Sequence, residues 1–510
     1  MKAVLIFSFA FVLSEAKNTD PGVIGRLTLK GLQYGLQVGL QELHKQLPTI
    51  HIPDVDGSVS VAVLGHVRYY VSELQIKTVD FSHSNLTFCP NTGINISIQH
   101  GRIQIVGHIR IKSWLFSASS WMELWVQGFS LDGSVGTTCD DLGHGAVWNA
   151  ACRSKVGWVD LSFHGGSGWV FNMFKNSMIG PIYSAISSQI CPSFGKAIIQ
   201  VEKTLSTLPV SLSVDSVSDV EIDLVGPPLI SNNSFDLLVR GEFVALSQHM
   251  TPYRPEKLVL PDVDSRMLLL ALSQFSANSA GFVHYKVGFL KYNITDDMIP
   301  KSSPIRLNMK SLQIFAPELL TRYPDSPPLL LQVSARSAPT VTCLLDSLTV
   351  QGSADIDVFA MYTDRPLISL FQLQADFLIG VDLVLSEETV GATISVGNFS
   401  LSLIHSNVGT VKVDTMQKTL NVAMKILLPI LNGRLKKIIP LPSILRLQNP
   451  VVRVLQGYIV IMTDLQATLR HDDNFLDFSN LFDGRSFELF LKYYLEEKNY
   501  ERLLQKMMGY

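Results

Sequence analysis

The chain has 510 residues, of which 47% are hydrophobic and only 17% charged, and its formal net charge is −3. That length exceeds one ordinary domain and points to roughly two to four of them. The near-neutral balance, with no basic stripe, argues against nucleic-acid binding, and the apolar inventory exceeds what an ordinary core consumes, leaving a surplus suited to line a cavity.

Residues 3–13 are apolar, follow Lys2 and lead into Ser14-Glu15-Ala16. This pattern reads as a secretory signal over residues 1–16, removed from the mature chain. The apolar run is shorter than the roughly 20 residues a bilayer span needs, so the expected product is soluble, secreted and extracellular. Five sequons, at Asn85, Asn95, Asn232, Asn293 and Asn398, are glycosylation candidates on the same route. Cys89, Cys139, Cys152, Cys191 and Cys343 are an odd set, so at least one thiol stays unpaired within the chain, and spacing alone does not choose the pairs.

Ile24, Leu27, Leu32, Leu36, Leu40, Leu43 and Leu47 recur at helical spacing and predict a long first helix over residues 22–47. Gly25, Gly31, Gly35 and Gly39 fall inside it, each costing up to about 1 kcal/mol relative to alanine. They imply something lying close to the helix backbone, either a strand or an acyl chain. After Pro48 the period changes to two, through Val59, Val61, Val63, then Ile94, Ile96, Ile98, then Met122, Leu124, Val126, as antiparallel strands with one buried face require. A second helix is predicted over residues 168–205, with Phe171, Phe174, Met178, Ile182, Ile186 and Ile190 on one stripe and a kink or break expected at Gly180-Pro181. Residues 247–264 hold three prolines and read as an extended linker. Short alternating strands then resume before a helix over residues 420–439 with the stripe Met424, Leu427, Leu428, Leu431, Leu435 and Ile438. The two comparable halves imply a pseudo-repeat, and divide the chain into a signal (1–16), an amino-terminal barrel (17–246), the linker (247–264), a carboxyl-terminal barrel (265–470) and a tail (471–510).

Asp20-Pro-Gly-Val-Ile-Gly-Arg-Leu-Thr-Leu-Lys-Gly-Leu-Gln-Tyr-Gly resembles the opening of the family of bactericidal/permeability-increasing protein, lipopolysaccharide-binding protein and the cholesteryl ester and phospholipid transfer proteins. His51-Ile-Pro-Asp, Pro90-Asn-Thr-Gly-Ile, Ser187-Ser-Gln-Ile-Cys-Pro, Thr207-Leu-Pro-Val, Arg240-Gly-Glu-Phe, Asp296-Asp-Met-Ile-Pro, His405-Ser-Asn-Val-Gly and Pro440-Leu-Pro are similar to further family landmarks, in family order. The resemblance implies an α+β fold in which two elongated barrels, each a twisted antiparallel sheet with long apolar helices, join through a central sheet into a boomerang with pseudo-two-fold symmetry. It implies one apolar phospholipid pocket in each barrel, and a disulfide between Cys152 and Cys191. Taken with the helix stripes, it makes Leu27, Gly31, Gly35, Val38, Phe174, Met178, Ile182, Ile186, Met424, Leu428, Leu431 and Leu435 the candidate lipid-binding residues.

The tip of the first barrel departs from the lysine-rich tip of endotoxin-binding members. Residues 17–250 carry 15 Lys plus Arg against 18 Asp plus Glu, and the tip offers Arg110, Lys112, Trp114 and Phe116, a combination suited to transient docking on lipid surfaces by aromatic insertion. Trp121 and Trp125 are in phase with a buried face, so core packing is the competing reading. Nine of the twelve histidines lie in this half, including His66, His100 and His108; acidification makes it cationic if they are exposed. The tail contains a predicted charged helix over residues 486–508, either capping a pocket or solvated. No nucleophile, metal or phosphate-loop motif occurs, so no enzyme, cofactor or metal is expected. The resulting expectation is a monomeric carrier or transfer factor for phospholipid or related lipids; the alternative is a lipopolysaccharide-binding protein of innate immunity.

Overall fold

A computed structural model describes residues 20–46, 54–61, 65–114, 117–165, 168–246, 251–262, 265–299, 306–387, 389–436, 439–440 and 445–467. The signal and the tail with its expected helix lie outside the described residues. The chain opens with β1 (Val23–Thr28) and α1 (Leu29–Gln46). The first lobe follows as β2 (Val55–Val61), β3 (Gly65–Asp80), β4 (His83–Cys89), β5 (Gly93–Lys112), β6 (Ser117–Cys139), β7 (Gly145–Lys155), β8 (Trp158–His164) and α2 (Gly168–Leu205). Between the lobes run β9 (Ser211–Ser213), β10 (Ser218–Glu221), β11 (Leu229–Ile230), β12 (Ser234–Val239), β13 (Glu242–Ala245), β14 (Leu268–Ser273) and α3 (Gln274–Lys286). The second lobe comprises β15 (Lys291–Thr295), the short α4 (Met309–Leu312) and α5 (Leu319–Arg322), β16 (Leu329–Ala335), β17 (Thr340–Leu344), β18 (Ser347–Tyr362), β19 (Arg365–Leu385), β20 (Thr389–Ser406), α6 (Val413–Leu435) and β21 (Ile439–Pro440). β22 (Leu445–Leu455) and β23 (Tyr458–Ala467) return to the middle.

Each lobe is a seven-stranded antiparallel sheet, in the order β2-β3-β5-β6-β7 with β4 on β5 and β8 on β6, and β15-β16-β18-β19-β20-β21 with β17 on β18. A central sheet, β11-β12-β1-β14-β23-β22, joins them. The expected α+β architecture of two sheet-and-helix lobes about a central sheet is therefore present. In the first lobe the inner face carries Val67, Ile109, Met122, Leu124, Val126, Leu161 and Phe163, and α2 lays Ile179, Ile182, Ile186, Ile190 and Phe194 onto it.

Several elements differ from expectation. The first helix begins at Leu29, and Leu27 lies on β1, paired with Phe235 and Leu268. Ile24 and Leu27 satisfy the helical period by coincidence, while the neighbouring strands supply β1 with hydrogen-bond partners on both sides. α2 runs unbroken through Gly180-Pro181 and Pro192, because its stripe packs on the sheet and the Cys152–Cys191 bond, with Cα atoms 5.8 Å apart, ties it to β7. α6 starts at Val413 rather than near residue 420. Described residues 251–262 are extended, as the prolines require, but Leu258 and Leu260 are buried in the central core, so this stretch is a packed strap.

His284 on α3 is held at 2.6 Å from Asp215, with its other ring nitrogen 2.8 Å from the Ala280 carbonyl. Burial opposes charge on both groups, yet the hydrogen bonds prevail. Asp215, which also accepts from Val217 and Ser218, sits below the usual carboxylate range, and His284 above the usual imidazole range. The depressed carboxylate contributes stability that is present above its unfolded range and lost as pH falls through its folded value. The raised imidazole contributes stability that is present below its unfolded range and lost as pH rises through its folded value. Replacing His284 by Ala is expected to cost on the order of 3 kcal/mol at about pH 5.5. Thermal denaturation across pH checks this; a penalty that does not shrink by pH 9 contradicts the pairing.

Candidate functional site: an apolar cavity and the tip of the first lobe

Inside the second lobe, α6 is stitched to β20 at two places by side-chain amides. Gln417 accepts from the Leu401 amide at 3.0 Å, and Asn432 both accepts from the Ile394 amide and donates to its carbonyl, at 2.8 and 2.9 Å. Between α6, the sheet and the segment around α4 lies a cavity of about 470 Å³. Its described walls are Ile294, Leu331, Ile356, Val358, Phe371, Leu373, Phe399 and Leu401 from the sheet, Met416, Leu420 and Ala423 from α6, and Met298, Ile299, Leu307, Leu312 and Phe315 from the flanking segments. Among the described residues of the lining, Arg306 is the one that is charged. Its guanidinium donates to the carbonyls of Ile299 and Asp296, both at 2.7 Å, and to the Asp296 carboxylate at 2.9 Å. Such a void accepts flexible hydrocarbon and offers almost nothing to a polar ligand.

Met424, Leu428, Leu431 and Leu435 lie on α6, with the Leu431 side chain outside the described residues; the described α6 residues that line the cavity are Met416, Leu420 and Ala423. Leu435 is buried at the far end of the helix, whose last carbonyls press on Gly391 so closely that an added Cβ would sit 2.6 Å or less from them. The earlier i, i+4, i+7 set was present in the chain as the missed signal.

In the first lobe, Gly31 on α1 approaches backbone: a Cβ there would lie 2.5 Å from the Met267 carbonyl, which answers the glycine question for this position in favour of protein packing. Gly35 meets nothing within 4 Å and is exposed, and Val38 is half-buried. Ile182 and Ile186 pack against the sheet core. Phe174 and Met178 lie on α2, with side chains outside the described residues.

The tip is more basic than its linear sequence implies. β3 and β5 pair with Arg68 opposite Lys112 and Tyr70 opposite Arg110, bringing three cations onto one exposed surface. Tyr70 donates to the Asp54 carboxylate, and Asp56 is paired opposite it, so two acids border the patch. Trp114 is 77% exposed beside them, and Phe116 lies outside the described residues. The competing core reading of the neighbouring tryptophans fails: Met122, Leu124 and Val126 take the buried face of β6, and Trp121 and Trp125 the opposite one. A side-chain alternation of two leaves no other choice.

Of the sequons, Asn85, Asn232, Asn293 and Asn398 are exposed, whereas Asn95 donates to Asp132 at 3.0 Å and accepts from Ser134 at 2.9 Å. Cys89, Cys139 and Cys343 are free, and burial pushes the Cys343 thiol up to about 11, which keeps it protonated and inert. Among the described residues no helix is long and apolar enough to cross a membrane, and no three His, Cys, Asp or Glu side chains converge to hold a metal.

The chain matches the N-terminal domain of the LBP / BPI / CETP family over residues 31–208 and its C-terminal domain over residues 212–467. It is 33% identical to bactericidal permeability-increasing protein of Sebastes schlegelii over 456 residues, covering 88% of this chain and 96% of that protein. It is 29% identical to lipopolysaccharide-binding protein of Homo sapiens over 438 residues, covering 85% and 91% respectively. A crystal structure of lipopolysaccharide binding protein shares the fold, with a TM-score of 0.54 and 24% identity over 88% of this chain and 99% of that one. The chain belongs to the LBP / BPI / CETP family of lipid-binding proteins.

Proposed function

We propose that this is a secreted protein that recognises lipopolysaccharide, in the manner of an innate-immunity or antibacterial factor, by sheltering acyl chains in its lobes while the tip of the first lobe meets the phosphorylated surface. The observation that carries the acyl half is the cavity of about 470 Å³, whose described lining is apolar except for Arg306. The likeness of nearly the whole chain to relatives named for lipopolysaccharide binding and for bactericidal permeability increase supports recognition over the carrier role that composition favoured. Arg68, Arg110 and Lys112 supply cations for phosphate, and Asp54 and Asp56 temper them. That tempering favours a second reading, holding or transfer of phospholipid without regard to headgroup.

Salt separates the two readings, since exposed charge pairs are screened within about 10 Å at 0.1 M. Lipopolysaccharide affinity measured by surface plasmon resonance is expected to fall several-fold between about 0.05 and 0.5 M NaCl, and roughly tenfold on joint Arg110→Glu and Lys112→Glu substitution. Equal, salt-insensitive binding to lipopolysaccharide and to neutral phosphatidylcholine vesicles contradicts recognition and supports the carrier.

The acyl site has its own check. Ala423→Phe places a ring in the cavity, and because it fills existing space its stability cost is expected to stay below about 1.5 kcal/mol. Lipid extracted from the secreted variant should drop by roughly half or more; undiminished lipid would mean that this cavity holds none.

A further inference from the structure

The outer face of the first-lobe sheet carries a constellation that packing does not use. Along β6 the outward positions read Trp121, Glu123, Trp125; β8 sets His164 opposite Trp121 and Asp160 opposite Trp125; and β5 sets His108 and Gln104 opposite the same two tryptophans. Trp158 follows on β8, one outward position beyond Asp160. Trp121 is 55% exposed and Trp158 51%, large apolar rings left in water on a face whose reverse side is a filled core.

The polar groups between the rings are fixed by one another. Glu123 accepts from Gln104 at 2.5 Å, from the Trp125 indole at 2.8 Å and from His164 at 3.2 Å, while Gln104 accepts from Thr78 at 3.1 Å. The row crosses four strands, β3, β5, β6 and β8, and locks the Trp125 ring in place. His108 stands edge-on to Trp121, with ring centroids 5.1 Å apart.

We propose that this face is a saccharide platform, which binds the sugar chain of lipopolysaccharide through ring stacking on Trp121, Trp125 and Trp158 and hydroxyl contacts to Glu123, His164 and Gln104. The assignment rests on the lipopolysaccharide reading for its source. Sugars present C–H faces to aromatic rings and hydroxyl rims to planar acceptors, the two chemistries that alternate here. A carboxylate offers about four lone-pair sites; three are taken, and the remaining one suits a hydroxyl donor. A bilayer is the poorer occupant, because the hydrogen bonds from Gln104, Trp125 and His164 hold Glu123 ionised and hydrocarbon would strip its remaining water.

The face is also continuous with the tip. Arg110 and Lys112 lie further along the outward row of β5 that contains Gln104 and His108, so phosphates held there leave a sugar chain running along about 27 Å of strand at roughly 3.4 Å per residue. A host glycan without phosphate would use only half of this arrangement.

The test uses the full secreted chain and four probes: lipid-free oligosaccharide released from lipopolysaccharide, N-glycans released from host glycoproteins, lipid A, and neutral phosphatidylcholine vesicles. Saturation-transfer NMR and tryptophan fluorescence should detect the oligosaccharide, with Trp121→Ala weakening it about tenfold and Trp158→Ala severalfold. Lipid A binding should stay unchanged in both variants, which also shows that they fold. Oligosaccharide that fails to bind, or binds both variants as it binds the wild type, overturns the platform. So does loss of vesicle binding alone in Trp121→Ala, which makes the face a membrane surface, or a preference for N-glycans of host glycoproteins, which overturns the source. Retained oligosaccharide binding with no lipid A binding sinks the acyl-chain reading and leaves the platform standing.

Discussion

Everything in this molecule depends on a sheet assembled from three distant parts of the chain. β1 near the start, β12 and β14 from the middle, and β22 and β23 at the end lie side by side, with β1 between β12 and β14 and β14 against β23. Leu269, Ala271 and Val460 are fully buried at its centre. The Arg26 guanidinium grips the Asp236 carboxylate through two 2.7 Å hydrogen bonds between directly paired residues of β1 and β12. Such a bidentate pair specifies register as well as charge. Neither lobe can therefore be detached with its own complete share of structure, and closing the loops that bring these strands together is the entropic cost on which the rest of the fold is built.

Given that frame, the cavity follows from geometry. A long antiparallel sheet twists, and its inner side becomes concave. A straight helix laid over that concavity touches the sheet where it is anchored and bridges it elsewhere. Gln417 and the close seat of the last turn on Gly391 are the anchors; Met416, Leu420 and Ala423 are the bridge. The bridging side chains are too short to reach the opposite wall, so apolar surface faces apolar surface across a gap. A gap of this kind can admit hydrocarbon without requiring any specific hydrogen bond. On the function proposed above, specificity comes from outside the cavity, from the tip and the sheet's outer face, where charge and polarity are arranged.

How much of this was legible before the structure depends on how one-sided each element is. α2 was bounded correctly because its isoleucine stripe, Ile179, Ile182, Ile186 and Ile190, packs on the apolar inner face of the sheet. β6 was readable from Met122, Leu124 and Val126 for the same reason, although its partners on the outer face were not, since exposure is decided by which strands flank it. α3 was missed: it buries Asn278 and Ser279 alongside Phe275 and Val283, because Asn278 binds both backbone groups of Val341 and Ser279 accepts from the Phe243 amide, so no apolar stripe announces it. Arg68 was not among the expected tip residues, and strand register reveals that it stands opposite Lys112. The Cys152–Cys191 pairing came from family resemblance, since five cysteines admit many pairings. Register and side-chain reach are properties of pairs far apart in sequence, and a single chain of letters records them only faintly.

Native mass spectrometry of the protein purified as secreted, followed by organic extraction and identification of what is released, addresses the central claim most directly. Acyl lipid should accompany the folded chain and leave it on extraction, with the protein mass falling by the mass of the released lipid. A chain that carries no lipid, takes up none when offered lipid A or phospholipid, and shows a crystal structure in which its own side chains close the space between α6 and the sheet would contradict it.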